Sequence, residues 1–360
     1  MIDQAIQRWI RAEVRQQKAY HVPSSAGLIK LDAMESPYTW DESLVKDWLT
    51  QLSAVHLNRY PEADAYSLRA RLREVFHVPN GLEILLGNGS DELIQILMMA
   101  VAKPGVSVLA PEPTFVMYRT IASWLGIEFI GVPLKEDFAL DRDAMLAAIE
   151  QKDPALIFIS YPNNPTGNLF DPQDIDAIIE KANGIVVIDE AYQAFANDSY
   201  LAKLQQATNV LLMRTVSKMG LAGLRLGYLV GAPQWIEEFN KIRLPYNINT
   251  LTQKSAEFAL RHKAMFDAQA KSIVEERTRV MVALQEIGSL HVYPSQANFI
   301  LFRARQGRAT QIFEQLLAKG ILIKNLSANG GKLADCLRVT IGTTEENNAF
   351  LKALTEIIKA

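Results

Sequence analysis

This sequence of 360 residues lacks three features that would place it in a specialised class of protein. Its single cysteine, Cys336, excludes an intrachain disulfide and is typical of a reducing compartment. Its longest apolar run, residues 96–102, is far shorter than the roughly 20 residues of a membrane-spanning helix. Basic residues are scattered and the formal net charge is −3, which indicates no nucleic-acid or membrane surface. We therefore expect a soluble cytoplasmic protein, and the spacing of the histidines predicts no metal site.

Apolar residues make up 49% of the chain, enough for a large core divided between two domains. From about residue 80 to residue 230, short apolar runs alternate with longer helical patterns. The runs are rich in Val, Ile and Leu, as in strands covered on both faces. They are residues 83–86, 106–110, 128–132, 156–160, 185–188, 210–215 and 227–230. This alternation predicts an α/β fold in which helices sandwich a mostly parallel, seven-stranded sheet.

The pattern changes after about residue 245. Residues 252–282 contain neither proline nor glycine and predict one long helix. Predicted strands and a final helix follow, at residues 299–303, 320–324, 336–341 and 345–359. Near the other end, residues 20–40 include Pro23 and Pro37 and predict an extended arm. We predict an N-terminal helix and arm (1–45), a large domain (46–245) and a smaller α+β domain (246–360) that packs with part of the arm.

A lysine in a small, glycine-rich setting is the most informative local feature. Lys218 follows the predicted strand 210–215 within the sequence Ser-Lys-Met-Gly, and Arg225 lies seven residues further on. Open α/β sheets bind ligands at the carboxyl ends of their strands. A partly desolvated lysine near other cations has a lowered pKa and can act as a Schiff-base nucleophile. Lysine is mostly exposed in proteins, so this motif alone does not exclude a surface loop.

Two further motifs follow predicted strands. Residues 87–92, Gly-Asn-Gly-Ser-Asp-Glu, precede a predicted helix and would expose backbone N–H groups that suit a phosphate. A well-capped helix needs the same residue types, so a purely structural role remains open. Residues 161–167, Tyr-Pro-Asn-Asn-Pro-Thr-Gly, predict a rigid turn that presents two amides at a strand end.

The predicted strand 185–188 ends in two carboxylates, Asp189 and Glu190, with Tyr192 close behind. A helix N-terminus with acidic first-turn residues is one interpretation. A nucleotide-hydrolase strand is another, but it needs a Gly-x-x-x-x-Gly-Lys-Ser/Thr loop, which is absent from the sequence. Together the four motifs supply what pyridoxal phosphate requires: a lysine, a carboxylate for its ring nitrogen, donors for its phenolic oxygen and a phosphate cradle.

These motifs, in this order, resemble the signature of fold-type-I pyridoxal-phosphate aminotransferases, and more narrowly the histidinol-phosphate aminotransferase family. The narrower resemblance is carried by Leu-Asp-Ala-Met-Glu-Ser-Pro-Tyr, Asn-Arg-Tyr-Pro-Glu, Gln-Ala-Asn-Phe and Leu-Arg-Val-Thr-Ile-Gly-Thr, at residues 31–38, 58–62, 296–299 and 337–343. It spans about residues 30 to 350. It implies transfer of an amino group between L-histidinol phosphate and 2-oxoglutarate, a step of histidine biosynthesis, by a homodimer with a shared active site.

The resemblance also implies a role for each matching residue. Lys218 binds the cofactor covalently and shuttles a proton, and Asp189 pairs with the ring nitrogen. The remaining cofactor contacts are Asn164 and Tyr192 at the phenolic oxygen, Phe115 on the ring face, and Ser90, Asp91, Ser217, Arg225 and the neighbouring subunit's Tyr60 at the phosphate. Arg338 would anchor substrate anions, with Lys324 and Asn164 also in contact with substrate.

Three departures from the family's usual pattern bear on substrate choice. Met34 stands where asparagine is usual, and Lys324 stands where many relatives have a second arginine. The interval from Lys218 to Arg225 is one residue shorter than usual. An aromatic amino-acid aminotransferase and a phospho-amino-acid decarboxylase use nearly the same residues and remain alternatives. A regulator with a fused DNA-binding module would need a longer, basic N-terminal segment, so we do not expect one.

Overall fold

The computed structural model describes residues 2–19 and 24–359. Pro23, part of the predicted arm, lies outside these residues. Within them the helices are α1 Ile2–Trp9, α2 Ala12–Arg15, α3 Glu42–Leu52, α4 Tyr66–Val75, α5 Gly89–Val101, α6 Val116–Leu125, α7 Arg142–Lys152, α8 Pro172–Lys181, α9 Pro233–Asn240, α10 Thr250–Arg261, α11 Lys263–Gln285, α12 Ala309–Ala318 and α13 Thr344–Lys359. None of these helices is long and apolar enough to cross a membrane.

The strands are β1 Ile29–Lys30, β2 Glu83–Asn88, β3 Ser107–Glu112, β4 Glu128–Pro133, β5 Leu156–Ser160, β6 Ile185–Asp189, β7 Val210–Thr215, β8 Leu226–Gly231, β9 His291–Val292, β10 Phe299–Arg303, β11 Ile321–Leu322, β12 Lys324–Asn325 and β13 Cys336–Thr340. They form sheets of seven, four and two strands. Short 3-10 turns connect several of them, including Ser217–Met219 and Ala222–Leu224.

The seven-stranded sheet has the order β2-β8-β7-β6-β5-β3-β4, and β8 is the one strand of this sheet that runs in the opposite direction, antiparallel to both β2 and β7. Its central strands β5 and β6 are buried along their whole length, as expected from their continuous Val, Ile, Leu and Phe content. Apolar clusters lie on both faces of the sheet. The predicted α/β fold with a mostly parallel, seven-stranded sheet is therefore confirmed.

Several helices begin where the sequence provides a capping side chain. The carboxylates of Asp41, Asp141 and Asp171 and the amide oxygen of Asn249 accept backbone N–H bonds in the first turns of α3, α7, α8 and α10. Proline at the first position of α8 also fits a helix start, because its missing N–H has no acceptor there.

The single long helix predicted over residues 252–282 is wrong, because the chain breaks at His262 into α10 and α11. In a continuous helix, the backbone N–H of His262 would donate to the Phe258 carbonyl oxygen. Instead, the ring Nδ1 of His262 lies 3.0 Å from that oxygen, and the backbone N–H donates to Ala259 at 2.9 Å. The side chain therefore replaces the helical bond, and neither proline nor glycine is needed for the break.

Two other predictions need correction. The predicted strand 320–324 is divided, since Ile321–Leu322 pairs with β1 whereas Lys324–Asn325 pairs with β13 in another sheet. The same pairing makes residues 29 and 30 of the predicted arm a short parallel strand. The predicted division into three segments, residues 1–45, 46–245 and 246–360, stays a prediction.

Candidate active site

A cavity lies at the carboxyl edge of the large sheet. Three adjacent parallel strands end there, and the register places Ser160 of β5 beside Asp189 of β6, and Asp189 beside Met213 of β7. Polar residues that follow the strands therefore converge. The lining consists of Met34, Ser90, Asp91, Phe115, Ser160, Asn164, Asp189, Ala191, Tyr192, Thr215, Ser217, Lys218 and Arg225.

Lys218 lies in the turn directly after β7 and is half-buried. Its Nζ donates a hydrogen bond to the Ala33 carbonyl oxygen at 3.2 Å. Burial lowers the pKa of Lys218 to about 8, and the positive charges of Arg338 and Arg225 contribute in the same direction. Its amine is thus neutral far more often than that of an ordinary lysine, as a nucleophile requires.

Asp189 ends β6, and its carboxylate is buried with a donor on each oxygen. The Ala191 N–H donates to Oδ1 at 3.1 Å, and the Tyr118 hydroxyl donates to Oδ2 at 2.6 Å. Burial raises the pKa of Asp189 to about 6, against the effect of these hydrogen bonds. Tyr118 was not predicted from the sequence, because the two residues are 71 positions apart and no motif joins them.

A chain of hydrogen bonds joins three of the predicted site residues. Asn164 Nδ2 donates to the Tyr192 hydroxyl at 3.0 Å, and Arg338 Nη1 donates to Asn164 Oδ1. Arg338 Nη2 also donates to the Asp32 carbonyl oxygen at 3.1 Å. Burial raises the pKa of Tyr192, so its hydroxyl keeps its proton. The Asn164 amide is therefore held between a phenol and a guanidinium.

Another group of lining residues suits an anion. Helix α5 begins at Gly89, so the N–H groups of Ser90 and Asp91 lie in its first turn, where helical acceptors are missing. Arg225 adds a positive charge and lies 3.5 Å from the Asp91 carboxylate. Thr215, which the sequence did not reveal, donates to the Ser217 hydroxyl at 2.8 Å and accepts the Ser217 N–H at 3.1 Å.

Two glycines, Gly89 and Gly227, keep space free beside the first turn of α5 and Arg225. A Cβ on Gly89 would lie 2.8 Å from Arg225 Nη2, and Gly89 has a φ of +77°, which other residues rarely adopt. A Cβ on Gly227 would lie 2.7 Å from the Ser90 nitrogen. Larger side chains at either position would fill the cradle.

The other predicted residues lie outside the cavity lining. Arg338 reaches it through Asn164, and Lys324 lies directly opposite Arg338 in the β12–β13 register, on the same face of the sheet. Tyr60 is 80% exposed and stacks on Tyr246, with the ring centroids 4.5 Å apart. In contrast to these three residues, Met34 does line the cavity, and its φ of +54° is a conformation that suits asparagine better than methionine.

The residues present fit pyridoxal phosphate. The lining includes the buried carboxylate of Asp189 and a helix N-terminus with Arg225, Ser90 and Ser217. Lys218 and an aromatic side chain, Phe115, complete the lining. A carboxylate for a ring nitrogen, an amine for an aldehyde and a cradle for a phosphate match the functional groups of this cofactor.

Comparison with known proteins agrees with this arrangement. Residues 26–354 match the model of the family "Aminotransferase class I and II". The chain is 54% identical to "Histidinol-phosphate aminotransferase 2" of Nitrosococcus oceani, over 98% of each chain. It is 53% identical to a protein of the same name from Cupriavidus pinatubonensis, over 97% of this chain and 96% of the relative.

Among solved structures, one similar fold is the histidinol-phosphate aminotransferase of Sinorhizobium meliloti in complex with pyridoxal-5′-phosphate. It superposes with a TM-score of 0.87 and covers 98% of each chain, at 22% identity. The structural similarity shows the fold, and the sequence matches show the family. The chain belongs to the class I and II aminotransferases.

Proposed function

We propose that this enzyme transfers the amino group between L-histidinol phosphate and 2-oxoglutarate, in the biosynthesis of histidine. The observation that carries the proposal is the identity of 54% and 53%, over nearly the full chain, to two relatives named for this activity. The cavity supports it, because it brings together an amine, a carboxylate and an anion cradle.

The cofactor is pyridoxal 5′-phosphate, which when bound withdraws electrons from the substrate carbon that loses its proton. Asp189 would hold the ring nitrogen, and Phe115 would cover one ring face. Asn164 and Tyr192 would contact the phenolic oxygen, since their polar groups lie 3.0 Å apart on the cavity wall. Ser90, Asp91, Ser217 and Arg225 would hold the phosphate.

Lys218 would bind the cofactor and, once released by the substrate amine, move the proton at the substrate's reacting carbon. Its lowered pKa, about 8, supports this role because the neutral amine is the form that accepts a proton. The Ala33 carbonyl oxygen accepts a hydrogen bond from Nζ and so holds the amine on the cavity side.

Arg338 would bind the negative groups of both substrates, the phosphate of one and a carboxylate of the other. Asn164 Oδ1 and the Asp32 carbonyl oxygen orient its guanidinium, and the Phe299 ring lies 5.2 Å from its central carbon. A planar, oriented guanidinium can form paired hydrogen bonds with either anion. Lys324, opposite in the neighbouring strand, would add a second positive charge.

The enzyme would act as a homodimer in the cytoplasm, with Tyr60 of each subunit reaching the cofactor phosphate of the other. Tyr60 supports this because it is 80% exposed. Exposed apolar side chains also occur close to Tyr60 in the sequence, at Leu57, and around its stacking partner, at Leu244 and Tyr246. Apolar surface of this kind marks interaction sites in soluble proteins.

Half-reactions would test the substrate. Purified protein carrying the cofactor would be mixed with L-histidinol phosphate, and separately with phenylalanine or tyrosine, while the cofactor's visible absorption is followed. We expect fast loss of the band with histidinol phosphate and slow loss with the aromatic acids. The opposite preference would make the protein an aromatic aminotransferase, and release of carbon dioxide from a phospho-amino acid would make it a decarboxylase.

A further inference from the structure

Tyr118 is a buried titratable group with no role in the function proposed above. It lies in the first turn of α6, and its side chain is fully buried. Its hydroxyl donates to Asp189 Oδ2 at 2.6 Å, a short bond typical of a hydroxyl that donates to an ionised carboxylate. The Ala191 N–H occupies the other oxygen, Oδ1.

The Tyr118 ring is fixed on two sides. It stacks on Phe158 of β5, with centroids 4.6 Å apart and an angle of 17° between the planes. It also meets the edge of Phe115, with centroids 5.6 Å apart. Phe115 and Asp189 both line the cavity, whereas Tyr118 does not. One side chain outside the cavity therefore contacts two of the groups that would hold the cofactor ring.

The charged groups around Asp189 show why the hydrogen bond from the Tyr118 hydroxyl matters for the ionisation of Asp189. Asp91 and Glu190 are the nearby carboxylates that oppose its ionisation, together with burial. Glu190 is neutralised by Arg214, whose Nη2 lies 2.7 Å away, and Asp91 faces Arg225. Tyr192 also lies near Asp189 and keeps its proton. Within the part of the chain that the structure describes, Tyr118 and the Ala191 N–H are thus the two donors that stabilise the negative charge directly.

We propose that Tyr118 is a positioning residue that orients the Asp189 carboxylate and favours its ionised form, so that the ring nitrogen of the bound cofactor stays protonated. The inference rests on the proposed function, because it assumes that Asp189 meets that nitrogen. Tyr118 itself touches neither cofactor nor substrate and acts through Asp189.

The test is Tyr118→Phe, which removes one hydroxyl and keeps the stacked ring. The dissociation constant of pyridoxal phosphate is expected to rise about tenfold, as for loss of a hydrogen bond to a charged group. With cofactor labelled with nitrogen-15 at the ring, the chemical shift at pH 7.5 should move toward the unprotonated value. The proton would then lie more on Asp189, the stronger base once its donor is lost.

Tyr200→Phe is the matched control. Tyr200 is also buried and its hydroxyl donates to the Pro172 carbonyl oxygen at 3.1 Å, but it does not line the cavity. This variant should leave the nitrogen shift and the dissociation constant as in the unchanged protein. Tyr118→3-fluorotyrosine, a stronger donor of nearly the same shape, should move the midpoint of the nitrogen's pH titration to higher pH.

The outcomes separate the inference from the function on which it rests. A nitrogen shift and a dissociation constant that stay unchanged in Tyr118→Phe would overturn the inference, while cofactor binding by the unchanged protein would preserve the proposed function. If Tyr118→Phe does not fold, the fluorotyrosine variant decides alone, and a titration midpoint of the nitrogen equal to that of the unchanged protein would overturn the inference. If the unchanged protein binds no pyridoxal phosphate, the proposed function fails first.

Discussion

The close approach of β8 to helix α5 allows a quantitative prediction for Gly227→Ala. Gly227 lies in β8, between Gly87 of β2 and Thr215 of β7. A Cβ at this position would lie 2.6 Å from the Gly89 carbonyl carbon and 2.7 Å from the Ser90 nitrogen. Both atoms belong to the backbone at the start of α5, so no side-chain rotation can relieve the contact.

These distances determine how much Gly227→Ala should change the free energy of unfolding and the affinity for the cofactor. Ordinary contacts of a Cβ begin near 3.4 Å, so the first turn of α5 must retreat by about 0.8 Å. Overpacking of this kind costs about 1–3 kcal/mol in the free energy of unfolding. The same displacement moves the Ser90 and Asp91 N–H groups away from the cofactor phosphate. Because a hydrogen bond to a charged group contributes about 1.5–3 kcal/mol, the cofactor's dissociation constant should rise tenfold or more.

The assay combines urea unfolding of the cofactor-free protein with titration of pyridoxal phosphate. Gly223→Ala is the control, because a Cβ at Gly223 meets nothing within 4 Å and its φ is not positive. We expect the control to change the free energy of unfolding by less than about 1 kcal/mol and to leave cofactor affinity unchanged. If Gly227→Ala also keeps the original stability and affinity, the close packing of β8 on α5 is refuted.

Three further predictions follow. The rate at which cofactor-free protein captures pyridoxal phosphate should rise with pH through a midpoint near 8, since neutral Lys218 is the reactive form; a midpoint near 10.5 would contradict its lowered pKa. Arg214→Leu should lower the free energy of unfolding by about 3–5 kcal/mol by urea denaturation, because it leaves the fully buried Glu190 unpaired. Arg71→Leu, at the more exposed pair with Glu74, should change it by less than about 1 kcal/mol. We expect Tyr60→Phe and Lys218→Ala each to lose most activity, and mixing the two proteins should restore activity through hybrid dimers with one intact site. No recovery after subunit exchange would refute the shared site.

The sequence predicted the seven strands of the large sheet and the motifs that follow them. Continuous apolar runs identify buried strands because both faces of a parallel sheet are covered. Parallel strands end at the same edge, so polar residues after β5, β6 and β7 had to lie near one another. The sequence thus predicts Lys218, Asp189 and Asn164 in one site, and all three line the same cavity.

Other features depend on contacts between distant parts of the chain. The break at His262 depends on which donor reaches the Phe258 carbonyl oxygen, and no helix breaker marks it. Division of residues 321–325 between two sheets depends on which partner strand lies alongside. A local pattern carries no information about either choice.

The candidate site likewise has features that the sequence predicts and features that depend on tertiary packing. Residue types and spacing determined that this chain has an amine, a carboxylate and an anion cradle at strand ends. Only the tertiary structure brought Tyr118 to Asp189, across 71 residues, and Arg338 to Asn164, across 174. Such pairs are fixed by the packing of α6 on the sheet and of β13 beside the cavity, because a hydrogen bond needs its two atoms within about 3 Å. Sequence therefore determined which groups the site contains, and packing decided which of them touch.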